Sequence, residues 1–189
     1  MSEINLKTPI TEEQVREINS GDIVNLSGTI FTARDVAHKY LIEEATPDTL
    51  PFSLEGSCIY HCGPIVKESG DGYEIIAAGP TTSIREEPFE ADVIQKYGVR
   101  AIIGKGGMGE KTLKALKDFG AIYLSAVGGA AVVIAKSIKR VKNVYKLDEF
   151  GVPEAFWELE VENLPTICTM DSKGKSLHEE VEERSKKTA

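Results

Sequence analysis

Residues 99–127 read VRAIIGKGGMGEKTLKALKDFGAIYLSAV, and this stretch decides the fold class. VRAII and AIYLSAV are short apolar runs of the length expected for buried strands. Between them, LKALKDFG has helical spacing and ends on Gly120, a residue typical of helix C-termini. Strand, helix and strand in succession indicate a parallel strand pair with a helical crossover.

Three anion-binding motifs compete for the glycine-rich turn at residues 104–112. Its glycines have the G-x-G-x-x-G spacing of a dinucleotide site, but no acidic residue follows the next strand, where that motif needs one. A P-loop needs lysine directly after its last glycine, whereas Glu110 intervenes here and turns Lys111 about 100° away around the helix. The third motif is a helix N-terminus with free N–H groups beside Lys105, and a solvated lysine in a plain turn is an equal alternative.

Composition limits the classes of function. The chain has 189 residues, of which 41% are hydrophobic and 28% charged, as in one globular domain. The net charge of −8 and the lack of a basic cluster argue against nucleic acid as a partner. The first ten residues lack the apolar core of a signal peptide, and no apolar run approaches the roughly 20 residues of a membrane span. We therefore expect a soluble, cytoplasmic protein that does not bind membranes.

The cysteines do not suggest a framework of disulfides or a metal site. Three are present, Cys58, Cys62 and Cys168, and this odd, low number does not fit paired disulfides. Cys58 and Cys62 flank His61, but they follow a strand pattern, whose spacing is unlike that of a metal-binding turn. We expect reduced thiols and no metal ligands in this chain.

Periodicity and turn residues predict the remaining elements. Thr11 opens a capping box before a short helix, and ESGDG at residues 68–72 predicts a hairpin turn. Further helices are predicted over residues 35–45, 89–97 and 130–138, the last entered through the glycine pair at 128–129, and short strands over 141–145, 155–161 and 165–171. The expected fold is an α/β domain over residues 1–171 with a mixed sheet under helical cover. Residues 172–189 are expected to form a loose polar tail.

Three predicted turns each carry one cation. Arg34 ends SGTIFTAR, Arg85 ends GPTTSIR, and Lys105 lies in the glycine-rich turn. Turns at the carboxyl ends of strands converge on a ligand in open α/β sheets. Two arginines and a lysine suit a ligand with two carboxylates, because a guanidinium binds a carboxylate bidentately. The alternative is local pairing, of Arg34 with Asp35 and of Arg85 with residue 86 or 87.

Five stretches resemble the β component of class I fumarate hydratases and L-tartrate dehydratases: LSGTIFTARDVAHKY, IYHCGP, AGPTTSIR, IGKGGMGEKTLKALKDFGAIYLSAVGGAA and TMDSKGKSLHE. The resemblance runs in the same order from about residue 21 to residue 171. It implies a swivelling β/β/α-type domain and an iron–sulfur hydro-lyase. It covers the β component alone, so we expect a hetero-oligomer, such as α2β2, with an α subunit.

The resemblance also implies a cofactor and a set of binding residues. A labile [4Fe-4S] cluster would be held by three cysteines of the α subunit and not by this chain, and its open iron would act as a Lewis acid. Arg34, Arg85 and Lys105 match the family's dicarboxylate-binding cations, and Thr82 and Ser83 would add hydroxyl or backbone donors.

Thr81 matches the threonine that the family is proposed to use for moving the proton at C3, with an aspartate of the α subunit. A lone threonine is a poor base at neutral pH, so this role requires activation by its neighbours. His38 and His61 are interpreted as structural residues rather than catalytic ones.

The expected function is therefore the reversible hydration of fumarate to (S)-malate, as one subunit of a two-chain enzyme. The nearest alternative is dehydration of L-tartrate to oxaloacetate at the same site. A nucleotide-binding domain built on residues 104–112 and a binding protein with lost activity are further alternatives. The joint presence of Arg34, Thr81, Arg85 and Lys105 argues against lost activity.

Overall fold

The computed structural model describes residues 2–70, 72–126 and 131–188, and they form the mixed α/β domain predicted from the sequence. The strands are β1 (Glu3–Lys7), β2 (Ile23–Thr32), β3 (Cys58–Tyr60), β4 (Ile65–Ser69), β5 (Gly72–Ala77), β6 (Ala101–Gly104), β7 (Ile122–Ala126), β8 (Ile138–Tyr145) and β9 (Phe156–Met170). The helices are α1 (Glu12–Glu17), α2 (Asp35–Glu43), α3 (Glu87–Tyr97), α4 (Glu110–Phe119), α5 (Ala131–Ser137), α6 (Leu147–Phe150) and α7 (Leu177–Thr188), with a 3-10 turn at Ser83–Glu86.

The main sheet closes on itself. Its order is β1-β2-β3-β6-β7-β9-β8, and the strands from β1 to β7 in this order are parallel. The long strand β9 runs antiparallel to β7 and β8 and also pairs with β2, which completes the ring. Strands β4 and β5 form the predicted antiparallel hairpin. Asp71 in its turn lies outside the described residues.

The central parallel strands β3, β6 and β7 are buried on both faces of the sheet, where successive side chains point to opposite sides. Tyr60 and Ile103 belong to one apolar core with strand β9. Their neighbours Ile59 and Ile102 belong to a second core, where Leu116 of helix α4 also packs. Strands buried on both faces read as continuous apolar runs, which is what the sequence of β3, β6 and β7 shows.

This topology brings the turns of interest to one edge. Thr32 of β2 is paired with Tyr60 of β3, and Tyr60 is paired with Ile103 of β6. Because the three strands are parallel and in register, the residues that follow them leave the sheet at the same edge. Arg34 follows β2 and Lys105 follows β6, so the predicted convergence of these turns has its physical basis here.

Strand β9 differs from the two short strands predicted over residues 155–161 and 165–171. It runs unbroken from Phe156 to Met170. Pro165 has no N–H to donate, but it pairs with Asn25 while Asn163 takes a positive φ of 50°. Residues 162–163 of β9 lie opposite the single residue 27 of β2, and this bulge in β9 absorbs the irregularity, so tertiary pairing on both sides keeps the strand continuous.

The chain beyond Ser172 is not the loose tail that was expected, because its residues 177–188 form helix α7. Asp171 accepts hydrogen bonds from the N–H groups of Lys173 and Lys175, which builds a turn before the helix. Ser176 caps the helix by accepting from the N–H of Glu179 at 3.4 Å. The S-x-x-E spacing of a capping box was present in the sequence. The proposed domain boundary at residue 171 remains a prediction.

Two further expectations bear on the fold. The capping box of Thr11 is confirmed, since its side chain accepts from Gln14 N–H and Gln14 reaches back to the N–H of Thr11. The predicted glycine-pair entry to helix α5, at residues 128–130, lies outside the described residues. Among the helices that the structure describes, none combines the length and apolar character needed to cross a membrane.

Candidate functional site

Arg34 lies at the start of helix α2 and pairs with a residue far away in sequence. Its Nε lies 3.4 Å from the Glu154 carboxylate, whose other oxygen accepts from Val36 N–H at 3.0 Å. The predicted alternative, pairing with Asp35, is therefore replaced by a link to the turn before β9. A Cβ at Gly63 would lie 2.8 Å from the backbone oxygen of Pro153 and 2.7 Å from an Arg34 guanidinium nitrogen, so glycine allows this close approach.

Arg85 joins the second turn to the first. Its guanidinium forms an ion pair with the carboxylate of Asp35, the residue next to Arg34. Arg85 was expected to pair with Glu86 or Glu87 if it had no binding role, and the structure shows neither pair. The Arg85 side chain is 57% exposed, so its remaining donors are open to a ligand.

Lys105 is held by its backbone against the second turn. Thr82 and Lys105 form a parallel bridge, and the Ser83 N–H donates to the Lys105 carbonyl at 3.0 Å. A Cβ at Gly104 would fall 1.8 Å from the Ser83 hydroxyl, which explains why glycine precedes the lysine. The Lys105 side chain is exposed, and no acidic partner is found for it among the described residues.

The N-terminus of helix α4 is occupied by a carboxylate of the chain itself. Glu87 accepts from the N–H groups of Gly109 at 2.8 Å, Lys111 at 3.1 Å and Thr112 at 3.2 Å. It also accepts from the Thr112 hydroxyl at 2.6 Å. The expectation of free N–H groups at this turn is therefore wrong, because Glu87 satisfies the donors that a phosphate would need.

Thr81 is half-buried and lies beside His61, the residue that follows strand β3. Both its N–H, at 2.7 Å, and its hydroxyl, at 3.2 Å, donate to the carbonyl of His61. A carbonyl orients the hydroxyl but cannot take its proton. The described neighbours of Thr81 therefore direct its oxygen lone pairs outward without activating it as a base.

Beneath these turns lies a buried chain of polar side chains that connects both histidines. The Glu90 carboxylate oxygen Oε2 lies 3.1 Å from His38 Nε2 and 2.8 Å from His61 Nε2. His61 Nδ1 lies 2.9 Å from the Ser83 hydroxyl, which also accepts from Tyr123 OH at 2.8 Å. His38, His61, Ser83 and Glu90 are completely buried. The sequence analysis expected Ser83 to offer a hydroxyl or backbone donor to the ligand. Its hydroxyl is instead used within this buried network.

We assign the protons of this network from its hydrogen-bond partners. Ser83 accepts from Tyr123 and from the Lys105 N–H at 3.1 Å, so its own proton goes to His61 Nδ1, and His61 is neutral with Nε2–H facing Glu90. His38 Nδ1 faces the Arg34 carbonyl at 2.9 Å, which can only accept, and its Nε2 faces the Glu90 carboxylate. His38 therefore carries protons on both nitrogens.

The electrostatics agree with this assignment. Burial lowers the pKa of both histidines, but the Glu90 carboxylate outweighs it at His38 and raises that pKa to about 9. At His61 burial prevails and the pKa is lowered. Burial raises the pKa of Glu90, yet the two imidazoles more than offset this and hold it at about 2. Burial also raises the pKa of Glu86 to about 8, so this carboxyl is mostly protonated at neutral pH.

Two groups of residues in this chain could be considered as ligands, one for a metal ion and one for an iron–sulfur cluster. His38, His61 and Glu90 place their ligand atoms within 4.8 Å of one another, a spacing that could hold a metal ion. In the structure these atoms bind each other instead. Cys58, Cys62 and Cys168 are buried, and burial raises the pKa of each thiol, that of Cys62 and Cys168 to about 12. Cluster ligation needs thiolates, so these cysteines do not fit an iron–sulfur cluster.

The sequence analysis had missed three carboxylates that organise this region: Glu87, Glu90 and Glu154. A signal for Glu90 was available. Glu86 and Glu90 continue the buried helical face of Ile94 and Tyr97 in α3, where a solvated acid would be out of place. Glu87 and Glu154 act through contacts distant in sequence, for which the local pattern holds no signal.

Comparison with known proteins identifies relatives that match more than nine tenths of the chain. The family described as fumarase C-terminus matches residues 1–181. A protein of Geobacillus stearothermophilus, provisionally named fumarate hydratase class I, is 52% identical over 96% of this chain, which spans 35% of that protein. A Methanocaldococcus jannaschii protein, provisionally named L(+)-tartrate dehydratase subunit beta, is 49% identical over 93% of this chain and 91% of its own length. The L(+)-tartrate dehydratase subunit beta of Escherichia coli is 40% identical over 91% of this chain and 85% of its own length.

Proposed function

Because the chain belongs to the fumarase C-terminus family, we propose that it is the β subunit of a two-chain hydro-lyase that reversibly hydrates fumarate to (S)-malate. The 52% identity to a fumarate hydratase-type protein supports this substrate. The chain spans only about a third of that protein's length.

The observation that carries the proposal is the set of cations at one edge of the sheet. Arg34 and Arg85 are connected through Asp35, and Lys105 is bridged to Thr82 in the same turn that carries Arg85. Two guanidinium groups and one ammonium group suit the two carboxylates of fumarate or malate. Thr82 is exposed beside Lys105 and would add a hydroxyl donor.

Thr81 is proposed to act at C3, where hydration adds a proton and dehydration removes one. Its hydroxyl is oriented by the His61 carbonyl at 3.2 Å, which supports a defined position but does not supply a base. A partner group must therefore take or give the proton, and an aspartate of the α subunit fits that requirement.

The cluster implied by the resemblance is proposed to lie on the α subunit. The three buried cysteines of this chain fit it poorly, so a partner that brings three ligating cysteines completes the enzyme. The subunit names of the tartrate dehydratase relatives support a heteromeric assembly. We propose a composition of α2β2 or similar.

Dehydration of L-tartrate is the second candidate. It is supported by relatives of nearly the same length as this chain that carry the tartrate dehydratase name. Both substrates are four-carbon dicarboxylates, so the cations of this chain would serve either. The additional hydroxyl of tartrate would be recognised with the α subunit.

The test is reconstitution. The purified chain alone should be colourless and inactive, and adding the α subunit with iron and sulfide under anaerobic conditions should produce hydratase activity. Fumarate hydration and L-tartrate dehydration are then measured on the same assembled sample, which ranks the two substrates. Strong hydratase activity from the isolated chain, or none with either substrate after cluster assembly, would contradict the proposal.

A further inference from the structure

We propose that Glu90 is a positioning residue: its buried carboxylate ties the turns of Arg34, Thr81 and Lys105 together through the imidazoles of His38 and His61. The identity of the ligand that these turns would bind rests on the proposed function. The hydrogen-bonded connection between the turns lies within this chain, so it can be tested without substrate or partner.

The first arm of the network runs to Arg34. The Arg34 carbonyl accepts from the His38 N–H at 2.8 Å and from His38 Nδ1 at 2.9 Å. The Arg34 side chain makes no cap hydrogen bond. The backbone at the start of helix α2 is therefore held by this double acceptance together with the Glu154 carboxylate, which accepts from Val36 N–H. Since Glu90 holds the other nitrogen of the ring, rotation of the His38 imidazole is blocked.

The second arm runs through His61 and divides. Its ring leads through the Ser83 hydroxyl to the backbone N–H of Lys105. Its carbonyl accepts both the N–H and the hydroxyl of Thr81. One carboxylate therefore sets the relative positions of residues that come from three separate turns.

Packing alone does not account for this network. Buried charges cost free energy, and an apolar cluster of equal size is often as stable or more so. Glu90 Oε1 and Glu86 Oε2 are buried without a hydrogen-bond partner among the described residues, which adds to the cost. A network that is costly to bury and links the loop backbones of three turns fits a role in holding their geometry.

The groups around Glu90 come from four elements. His38 and Asp35 face the network from α2. Cys58 lies in β3, and His61 directly follows that strand. Glu86 lies 3.6 Å from His38 Nδ1, and the Tyr123 hydroxyl closes the Ser83 end from β7. Of these, Glu86 is the natural control, because its carboxyl is already mostly protonated at neutral pH.

The first experiment uses the full chain and nitrogen-15 NMR of its histidine side chains. In the wild type, His38 should stay protonated on both nitrogens at pH 7.5 and lose a proton only near its raised pKa of about 9. Glu90→Gln removes the carboxylate that offsets burial, so His38 should be neutral at pH 7.5. The backbone amide signals of Arg34, Thr81 and Lys105 should shift together. At pH 7.5, Glu86→Gln should leave these signals in place, because Glu86 acts less strongly on His38 than Glu90 does.

The second experiment uses the assembled enzyme. Ser83→Ala breaks the link from His61 to Lys105 and removes the acceptor of the Tyr123 hydroxyl, but it leaves the His38 arm intact. It should raise KM about tenfold and leave kcat within about threefold. Glu90→Gln releases both arms and should lower kcat/KM by about 100-fold. A residue needed only for stability would lower the melting temperature and leave kcat and KM of the folded enzyme unchanged.

Three results would overturn the proposal. One is a neutral His38 at pH 7.5 in the wild type. Another is unchanged amide signals of Lys105 and Arg34 in both Glu90→Gln and Ser83→Ala. The third is a stoichiometric metal ion bound to the isolated wild-type chain and lost in Glu90→Gln, which would make the three residues a metal site. If reconstituted enzymes are inactive while the NMR results hold, the proposed function fails and the positioning role stands.

Discussion

Two regions of this chain look like anion sites in the sequence, and they differ in whether the chain itself fills them. At the start of helix α4, three N–H groups and a hydroxyl all donate to Glu87. At the edge formed by the ends of β2, β3 and β6, Lys105 is exposed without an acidic partner among the described residues. Arg85 keeps more than half of its side chain exposed despite its pair with Asp35.

The difference teaches that a glycine-rich turn before a helix is not by itself a phosphate site. The donors at such a turn serve the nearest available anion, and here helix α3 supplies one. A ligand site is better recognised by charge that the fold leaves unpaired. Changes at the sheet edge should therefore impair turnover, whereas changes at the start of α4 should affect stability alone.

The largest effect is expected at Thr81. Thr81→Val keeps the branched shape but removes the hydroxyl, and in the assembled enzyme it should lower kcat by about 100-fold or more while KM changes by only a few-fold. Cluster content and subunit association are measured alongside to exclude a defect of assembly. Turnover near the wild-type rate would show that Thr81 only shapes the turn.

Lysines 105 and 111 provide a matched pair across the two regions. Lys105→Ala removes a cation proposed to bind a carboxylate and should lower kcat/KM by about one to two orders of magnitude. Lys111→Ala should be nearly silent, because Glu87 binds the backbone N–H of Lys111 and no described residue pairs with its ammonium group. The reverse order in steady-state kinetics would favour a phosphate site at residues 104–112.

Arg85 tests whether geometry or charge matters at the sheet edge. Arg85→Lys keeps the charge but lacks the fork that binds a carboxylate bidentately, and it cannot hold Asp35 and a ligand at once. KM for the dicarboxylate should rise about tenfold, with a smaller loss in kcat. An unchanged KM would mean that Arg85 serves only its pair with Asp35.

Much of the fold could be predicted because it depends on local patterns. The apolar runs of β6 and β7, the glycine that ends α4 and the capping box of Thr11 each act within a few residues. Strand β9 was predicted as two pieces. It is continuous because it pairs with β2 on both sides of Pro165, and the local sequence pattern does not show this pairing. Helix α7 was missed because its composition is polar, although its cap at Ser176 was readable.

The site could be predicted in part. Parallel strands imply that Arg34 and Lys105 leave the sheet at one edge, and the resemblance assigned their roles as expectations. What the sequence did not reveal is pairing over long distances, such as Glu154 with Arg34 and Glu87 with the start of α4. Partners such as these are set by tertiary packing and leave no periodic trace.

The smallest effect on catalysis is expected at Glu87. Glu87→Ala leaves the N–H groups of Gly109, Lys111 and Thr112 without their acceptor, although water can reach part of this helix end. The loss of such a cap should lower the free energy of unfolding by about 1–2 kcal/mol, measured by urea unfolding at constant m-value. Glu110→Ala serves as the control, because Glu110 is exposed on the same helix turn. The kcat and KM of the assembled Glu87→Ala enzyme should match the wild type.

Inorganic phosphate sharpens this last comparison. Removing Glu87 opens the donors that it occupies, so phosphate should stabilise Glu87→Ala against urea more than it stabilises the wild type or Glu110→Ala. The gain should grow with phosphate concentration and be absent with chloride at equal ionic strength. Equal stabilisation of all three proteins would show that Glu87 does not fill an anion site, and the two regions would then no longer differ in the way the structure indicates.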